Sequence, residues 1–171
     1  MEKDLLIVDQ NYVIARLIES LDDLLLSAEL WNRGFTRNSA GKAFNSVKAL
    51  LSAIIVKYKD EIEKYVDESE SEWFERKAHI VPTHSMKSLS ILLKKIGIDL
   101  ENLVNLAYDL HEYQYNGFEP GFSPYLKKED VLEDIRNVIT QLPSFIEKYF
   151  SKEIKDTEVK DLVERVKKLS L

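Results

Sequence analysis

Residues 99–125 have the sequence DLENLVNLAYDLHEYQYNGFEPGFSPY. Successive residues of a helix are rotated by about 100°, and at that spacing one side of the segment is almost wholly apolar. That side carries Leu100, Val104, Ala107, His111 and Tyr115, flanked by Leu103, Tyr108 and Leu110. The pattern predicts an amphipathic helix with one buried side, beginning near Asp99 and ending at Asn116-Gly117.

The same spacing continues towards the N-terminus. It predicts a first helix that ends at Gly34 and a second that runs from Asn38 or Ser39 to about Val66, joined as an antiparallel hairpin. A short helix around Trp73 and a longer one over residues 86–96 follow.

Towards the C-terminus, we expect helices at 128–150 and 155–169. Pro143 is expected to bend or divide the first of these. The second is expected to pack weakly or to serve another subunit. With no strand signal, the sequence predicts an all-α, up-and-down helical bundle.

Length and composition narrow the class of protein. The 171 residues suffice for one domain, 1–171, with a core at about 10–150 and a C-terminal helix at about 155–169. There is no cysteine, which excludes disulfides and thiolate metal sites. No apolar run is long enough to cross a bilayer, and the first ten residues, MEKDLLIVDQ, do not resemble a secretion signal. We therefore expect a cytoplasmic protein with no membrane partner.

Motifs for common catalytic and cofactor sites are missing. The sequence has no Walker A motif, no GxGxxG and no GxSxG, and its three histidines are dispersed. We expect neither a metal nor a cofactor.

Charge is arranged in blocks along a chain of net charge −6. Residues 31–59 carry six basic side chains and no acid, whereas residues 60–75 carry eight acids and one lysine. In the basic block, Arg33, Arg37 and Lys42 are candidates to bind a phosphate together with the backbone amides near Ser39 and Ala40. The alternative is a solvated surface that pairs with the acidic block.

The aromatic residues between Tyr108 and Tyr125 allow two interpretations. They could stack on the bases of single-stranded RNA, or they could pack the helix end and the following loop. In the second case Phe118, Phe122 and Tyr125 would give an ordered loop something to bury. His111, at the edge of the apolar stripe, is either a packing residue or a functional one.

Two stretches carry a family resemblance. RNSAGKAFNSVKALLSAII at 37–55 and DLHEYQYNGFEPGFSPY at 109–125 resemble the HEPN superfamily and, within it, the archaeal PaREP group. The similarity covers about residues 10–150. It implies a helical bundle, often dimeric, that serves as the partner of a minimal nucleotidyltransferase or as a toxin ribonuclease.

The resemblance also implies where a catalytic motif would lie. Catalytic members carry an arginine, four to six further residues and then His-x-Tyr at the dimer cleft, and here His111 and Tyr113 match the second part. The arginine has no counterpart, because its positions hold Val104, Asn105 and Leu106. An uncharged asparagine cannot offset the charge of a phosphorane, so an arginine from elsewhere, such as Arg37 or Arg76, would have to substitute.

We therefore expect a non-catalytic, HEPN-like module that forms a homodimer. It would dock a partner protein, such as a nucleotidyltransferase, or a nucleotide or RNA. Its candidate ligand-binding residues are Arg33, Arg37, Lys42, Asn105, Tyr115 and Asn116. One alternative is a divergent, metal-independent endoribonuclease with His111 as base, together with Tyr113 and a basic residue of the block at 31–59. Another is a helical protein whose surface only oligomerises.

Overall fold

A computed structural model describes residues 10–171, which form eight α-helices and no strand. The helices are α1 (Gln10–Asn32), α2 (Thr36–Lys57), α3 (Lys59–Glu63), α4 (Ser71–Lys77), α5 (Met86–Lys94), α6 (Glu101–Asn116), α7 (Lys128–Tyr149) and α8 (Thr157–Lys167). The all-α bundle predicted from the sequence is confirmed. The expectation that the chain begins without a secretion signal concerns residues that lie mostly outside the described part.

Helix α2 is the central helix of the bundle. Fourteen of its 22 residues are buried, and it contacts α1, α6 and α7. None of the helices within residues 10–171 has the length and apolar character needed to cross a membrane.

Buried serines join α1 to α2. Ser20 Oγ donates to the carbonyl oxygen of Ser46 at 2.8 Å. About two helical turns further along α1, Ser27 Oγ donates to Ser39 O at 2.9 Å, and Ser39 Oγ donates to Ser27 O at 2.7 Å. Small side chains allow the two backbones to approach closely. Each of the four buried hydroxyls has a hydrogen-bond partner in spite of this close packing.

Both ends of α2 differ from the sequence prediction. The helix begins at Thr36, because Gly34 adopts a positive φ of 85° and turns the chain early, while Ser39 is occupied by Ser27 rather than capping the helix. It ends at Lys57 rather than near Val66. Lys57 Nζ and Tyr58 Oη both donate to Tyr149 O, at 2.7 and 2.8 Å, and these tertiary bonds hold the chain where the helix breaks.

Helix α6 follows the prediction at its C-terminus and nearly does so at its N-terminus. It ends at Asn116, and Gly117 has a φ of 58°. It begins at Glu101, whose N–H donates to the Asp99 carboxylate at 3.0 Å. In the loop that follows, Tyr125 is buried but Phe118 and Phe122 are exposed, so the prediction that all three rings would be buried was wrong for two of them.

In the C-terminal third, one alternative in each of two predictions was wrong. Pro143 does not divide α7, which is continuous from Lys128 to Tyr149, because buried residues on both sides of the proline, including Leu142 and Ile146, hold both halves on the core. Helix α8 does not pack weakly. It contacts α1 and α7, and it buries Val159, Leu162, Val163 and Val166.

The burial of α8 predicts its contribution to stability. Leu162→Ala should lower the free energy of unfolding by about 2–5 kcal/mol, the usual cost of truncating a buried leucine. Glu164→Ala, on the exposed side of the same helix, should change it by less than about 0.5 kcal/mol. Urea denaturation followed by circular dichroism measures both values. Equal stabilities for the two variants would mean that α8 does not belong to this core.

Candidate functional site

One polar stripe interrupts the burial of α2. It consists of residues three or four positions apart that lie between α1 and α6: Asn38, Gly41, Asn45, Lys48 and Ser52. Asn38 and Asn45 are exposed and Lys48 is half-buried, whereas Gly41 and Ser52 are buried. The stripe is the floor of a surface that α1 borders on one side and α6 on the other, and the cavity that opens along it is lined by residues of α1 and α2 and by Ile80. We call this surface the α2 groove.

The α1 wall carries charged side chains that form ion pairs, one within α1 and one with α2. Lys42 on α2 binds the Asp23 carboxylate at 2.9 Å, and Arg16 binds Glu19 at 2.5 Å. The Arg16 guanidinium also lies 5.3 Å from the centre of the Tyr12 ring. Its Nε is buried and has no hydrogen-bond partner.

A cavity of about 320 Å³ opens at this wall, lined by Tyr12, Arg16, Lys48, Ser52 and Ile80 among others. Its end is closed by the turn before Pro82. Ser52 Oγ and Tyr12 Oη both donate to the carbonyl oxygen of His79, at 2.5 and 3.2 Å. Val81 lies two positions after His79, whose carbonyl oxygen accepts these bonds. Its φ of 47° is unusual for a β-branched residue.

The α6 wall brings His111 against α2. Its ring centre lies 4.2 Å from that of Phe44 and 5.0 Å from that of Tyr115. The helices approach most closely at Gly41, where a Cβ atom would lie 2.5 Å from Cδ of Gln114. The missing side chain at position 41 therefore leaves room for Gln114 and lets α6 pack close to the groove floor.

The electrostatics of His111 favour a neutral ring. Burial lowers its pKa, the nearby Lys48 ammonium lowers it further, and Glu112 opposes these effects. His111 Nδ1 is buried without a hydrogen-bond partner, and within residues 10–171 Lys48 forms neither an ion pair nor a hydrogen bond. The groove thus holds a neutral imidazole close to an unpaired cation.

The structure separates the aromatic candidates on α6. Tyr115, which the sequence placed on the buried stripe, is 65 % exposed and borders the groove beside His111. Tyr113 is buried instead, and its hydroxyl is hydrogen-bonded to Thr36 Oγ1 at 2.9 Å. Tyr113 follows His111 by two positions and is therefore rotated from it by about 200° around the helix. The two side chains do not share a site.

Arg37 and Asn116 have local structural partners. The Arg37 guanidinium donates to the carbonyl oxygens of Gln114, at 2.8 Å, and Tyr115, where α6 ends. Asn116 Nδ2 donates to Phe122 O at 3.2 Å. Arg37 therefore lies at the edge of the groove, with part of its hydrogen-bonding capacity already used.

The remaining candidates are dispersed. Arg33 pairs with Glu29 at 3.5 Å, and Asn105 accepts a hydrogen bond from Lys87 at 3.3 Å. The backbone amides expected near Ser39 and Ala40 do not form a phosphate site. Both residues lie inside the helix and are fully buried, and the Ser39 N–H donates to Phe35 O.

Nor does the basic block mainly pair with the acidic block. Only Lys59 pairs into residues 60–75, with Glu63, whereas Lys42 and Lys57 bind acids on α1 and after α7.

Three residues of the groove were not singled out from the sequence: Arg16, Phe44 and Lys48. A signal for Lys48 was present, since the polar stripe on α2 follows helical spacing through an apolar segment. Its position beside His111, 63 residues later, required the fold. Within residues 10–171 the structure contains no cluster of three or more histidine and carboxylate side chains that could hold a metal ion.

Comparison with known proteins identifies one family. The model of the archaeal PaREP1/PaREP8 family matches residues 15–136, a range that includes α2, α6 and the groove between them. Neither the curated proteins nor the solved structures contain a significant match.

The electrostatic effect of Lys48 on the pKa of His111 predicts a titration. Lys48→Ala should raise the pKa of His111 towards the value of a free histidine without reaching it, because burial remains the larger cause of its lowering. Lys42→Ala, which removes a lysine that is already paired with Asp23, should leave the pKa of His111 unchanged. Nuclear magnetic resonance of the histidine ring nitrogens measures both. Equal pKa values in the wild type and Lys48→Ala would contradict the proximity of the two groups.

Proposed function

The chain belongs to the archaeal PaREP1/PaREP8 family, and we propose that this member is a HEPN-like, non-catalytic module that binds single-stranded RNA in the α2 groove. The observation that carries the proposal is the position of His111 and Tyr115 on the α6 wall, beside Lys48 on the floor. The two segments behind the HEPN resemblance meet at this wall, through Gly41 with Gln114 and Phe44 with His111.

The groove offers the contacts that an RNA strand needs. The exposed ring of Tyr115 presents a face on which a base can stack. Lys48 has no competing carboxylate and can approach a phosphate, while Asn45 offers an exposed amide along the floor. Because the other cations are largely paired, we expect modest affinity that depends on only one or two phosphate contacts.

The geometry disfavours the usual HEPN nuclease. Metal-free cleavage needs a base for the 2′-hydroxyl and a cation for the phosphorane. No arginine precedes His111 at the expected spacing, Arg37 is held by the carbonyls at the end of α6, and the Tyr113 hydroxyl is bound to Thr36. The module is therefore proposed to bind without cleaving.

A second candidate function is metal-independent RNA cleavage. Its support is Lys48, which lies close enough to His111 to lower its pKa. A neutral imidazole could accept the proton of a 2′-hydroxyl, and Lys48 could take the place of the missing arginine as the cation.

We further propose that the protein is a homodimer. The exposed apolar residues around the end of α6 are suited to a second copy, namely Phe35, Phe118, Phe122 and Leu126. One of them, Phe118, packs on the buried Tyr113, with 5.0 Å between the ring centres.

Binding to a fluorescent oligouridine of about 12 nucleotides tests the RNA proposal. Tyr115→Ala should weaken binding by about 1–3 kcal/mol through lost stacking. Lys48→Ala should weaken it and reduce the slope of log K against log salt by about 0.7 for one phosphate contact. The matched controls, Tyr65→Ala and Lys160→Ala, remove an exposed tyrosine and an exposed lysine elsewhere and should bind as the wild type does.

Other results of this assay would redirect the assignment. Equal effects of the site and control variants, or no binding, would overturn the RNA proposal in favour of a protein partner such as a nucleotidyltransferase. Incubation in a metal chelator should leave the RNA intact, and cleavage that disappears in His111→Ala would establish the second candidate instead.

Light scattering should give the mass of two chains for the wild type and of one chain for Leu126→Lys; a monomeric wild type would contradict the dimer.

A further inference from the structure

A second groove lies on a different part of the surface, between α5 and the segment of residues 65–74. It encloses about 500 Å³, within the range of ligand pockets. Its apolar lining includes Tyr65, Trp73, Leu89 and Ile91, and one wall also carries Asp67 and Glu70. We call it the Trp73 groove.

The apolar residues of this groove are unusually exposed. Tyr65 is 52 %, Trp73 37 % and Ile91 49 % accessible to solvent. Three large apolar side chains that are exposed together around one concave surface leave a contiguous patch, which is typical of an interaction site rather than of scattered surface residues.

The charge around the groove is asymmetric. Glu63 and Glu72 are paired with Lys59 and Arg76. By contrast, Asp67, Glu68, Glu70 and Glu75 have no ion pair within the part of the chain that the structure describes. The opposite wall, formed by α5 and the residues at its two ends, carries His84 and Lys95. A ligand in this groove therefore meets unpaired carboxylates on one side only.

We propose that the Trp73 groove docks a basic, amphipathic segment of a partner protein. Apolar side chains of the segment would fill the groove, as in helix-in-groove recognition. Its lysines or arginines would face Asp67 and Glu70 and could lie over the Trp73 ring, while the positive α5 wall would set its direction. The chain's own basic block fits poorly, since most of it lies on the buried helix α2. The proposal is independent of RNA binding.

A labelled model peptide tests the proposal directly. The probe is a helical peptide of leucines and lysines with one apolar face, and its binding is followed by fluorescence anisotropy. Trp73→Ala and Ile91→Ser should each weaken binding by about tenfold, a loss of about 1.4 kcal/mol. Leu26→Ser, which alters an exposed apolar residue on α1, is the control. Far-ultraviolet circular dichroism verifies that each variant is folded.

Charge needs its own control, because a protein of net charge −6 attracts any basic peptide. Asp67→Asn/Glu70→Gln should weaken binding more than Asp161→Asn/Glu164→Gln, which removes the same charge from the exposed side of α8. Equal losses in the two double variants, or full binding by both Trp73→Ala and Ile91→Ser, would overturn the proposal. Loss of the dimer in Trp73→Ala would also overturn it, because the groove would then hold a second copy of this chain.

Discussion

The close packing of α1 on α2 through the serine pairs Ser20–Ser46 and Ser27–Ser39 is the constraint on which the rest of the structure depends. Because these side chains are small and their hydroxyls bind the opposite helix, α2 packs closely on α1 and most of its residues are buried. Gly41 has the same effect on the side that faces α6. With both neighbours this close, the stripe from Asn38 to Ser52 lies between α1 and α6 and forms the floor of the candidate site.

The same packing determines the electrostatics of the groove. Two cations near α2 are paired with carboxylates, Lys42 with Asp23 and Arg16 with Glu19. Arg37 keeps its charge, but its guanidinium donates to the carbonyl oxygens at the end of α6. Lys48 has no such partner and acts on His111, which burial already holds neutral. By linkage, the lowered pKa means that the His111 contribution to stability decreases as the pH falls through the pKa of histidine in the unfolded chain. The site therefore combines one free cation among the described residues with an uncharged ring.

Much of the fold could be predicted from the sequence, because amphipathic periodicity reports burial and glycines such as Gly34 and Gly117 mark helix ends. The misses arose where tertiary contacts override local signals. Ser39 looks like a helix cap but is occupied by Ser27, and Tyr58 breaks a helix by binding Tyr149. The site was only partly predictable. His111 and Tyr115 stand out in the sequence. The proximity of Lys48, however, depends on α2 and α6, which are far apart in the sequence. The loop that packs on Tyr113 reverses the expected roles of the two tyrosines.

The most direct test of the account is a map of amide chemical shifts in the isotope-labelled protein during titration with oligouridine. The shifts are expected to concentrate on Gly41, Asn45 and Lys48 in α2 and around His111 and Tyr115 in α6. Shifts confined to the Trp73 groove, or no shifts along α2 at saturating RNA, would contradict the assignment of the α2 groove as the binding site.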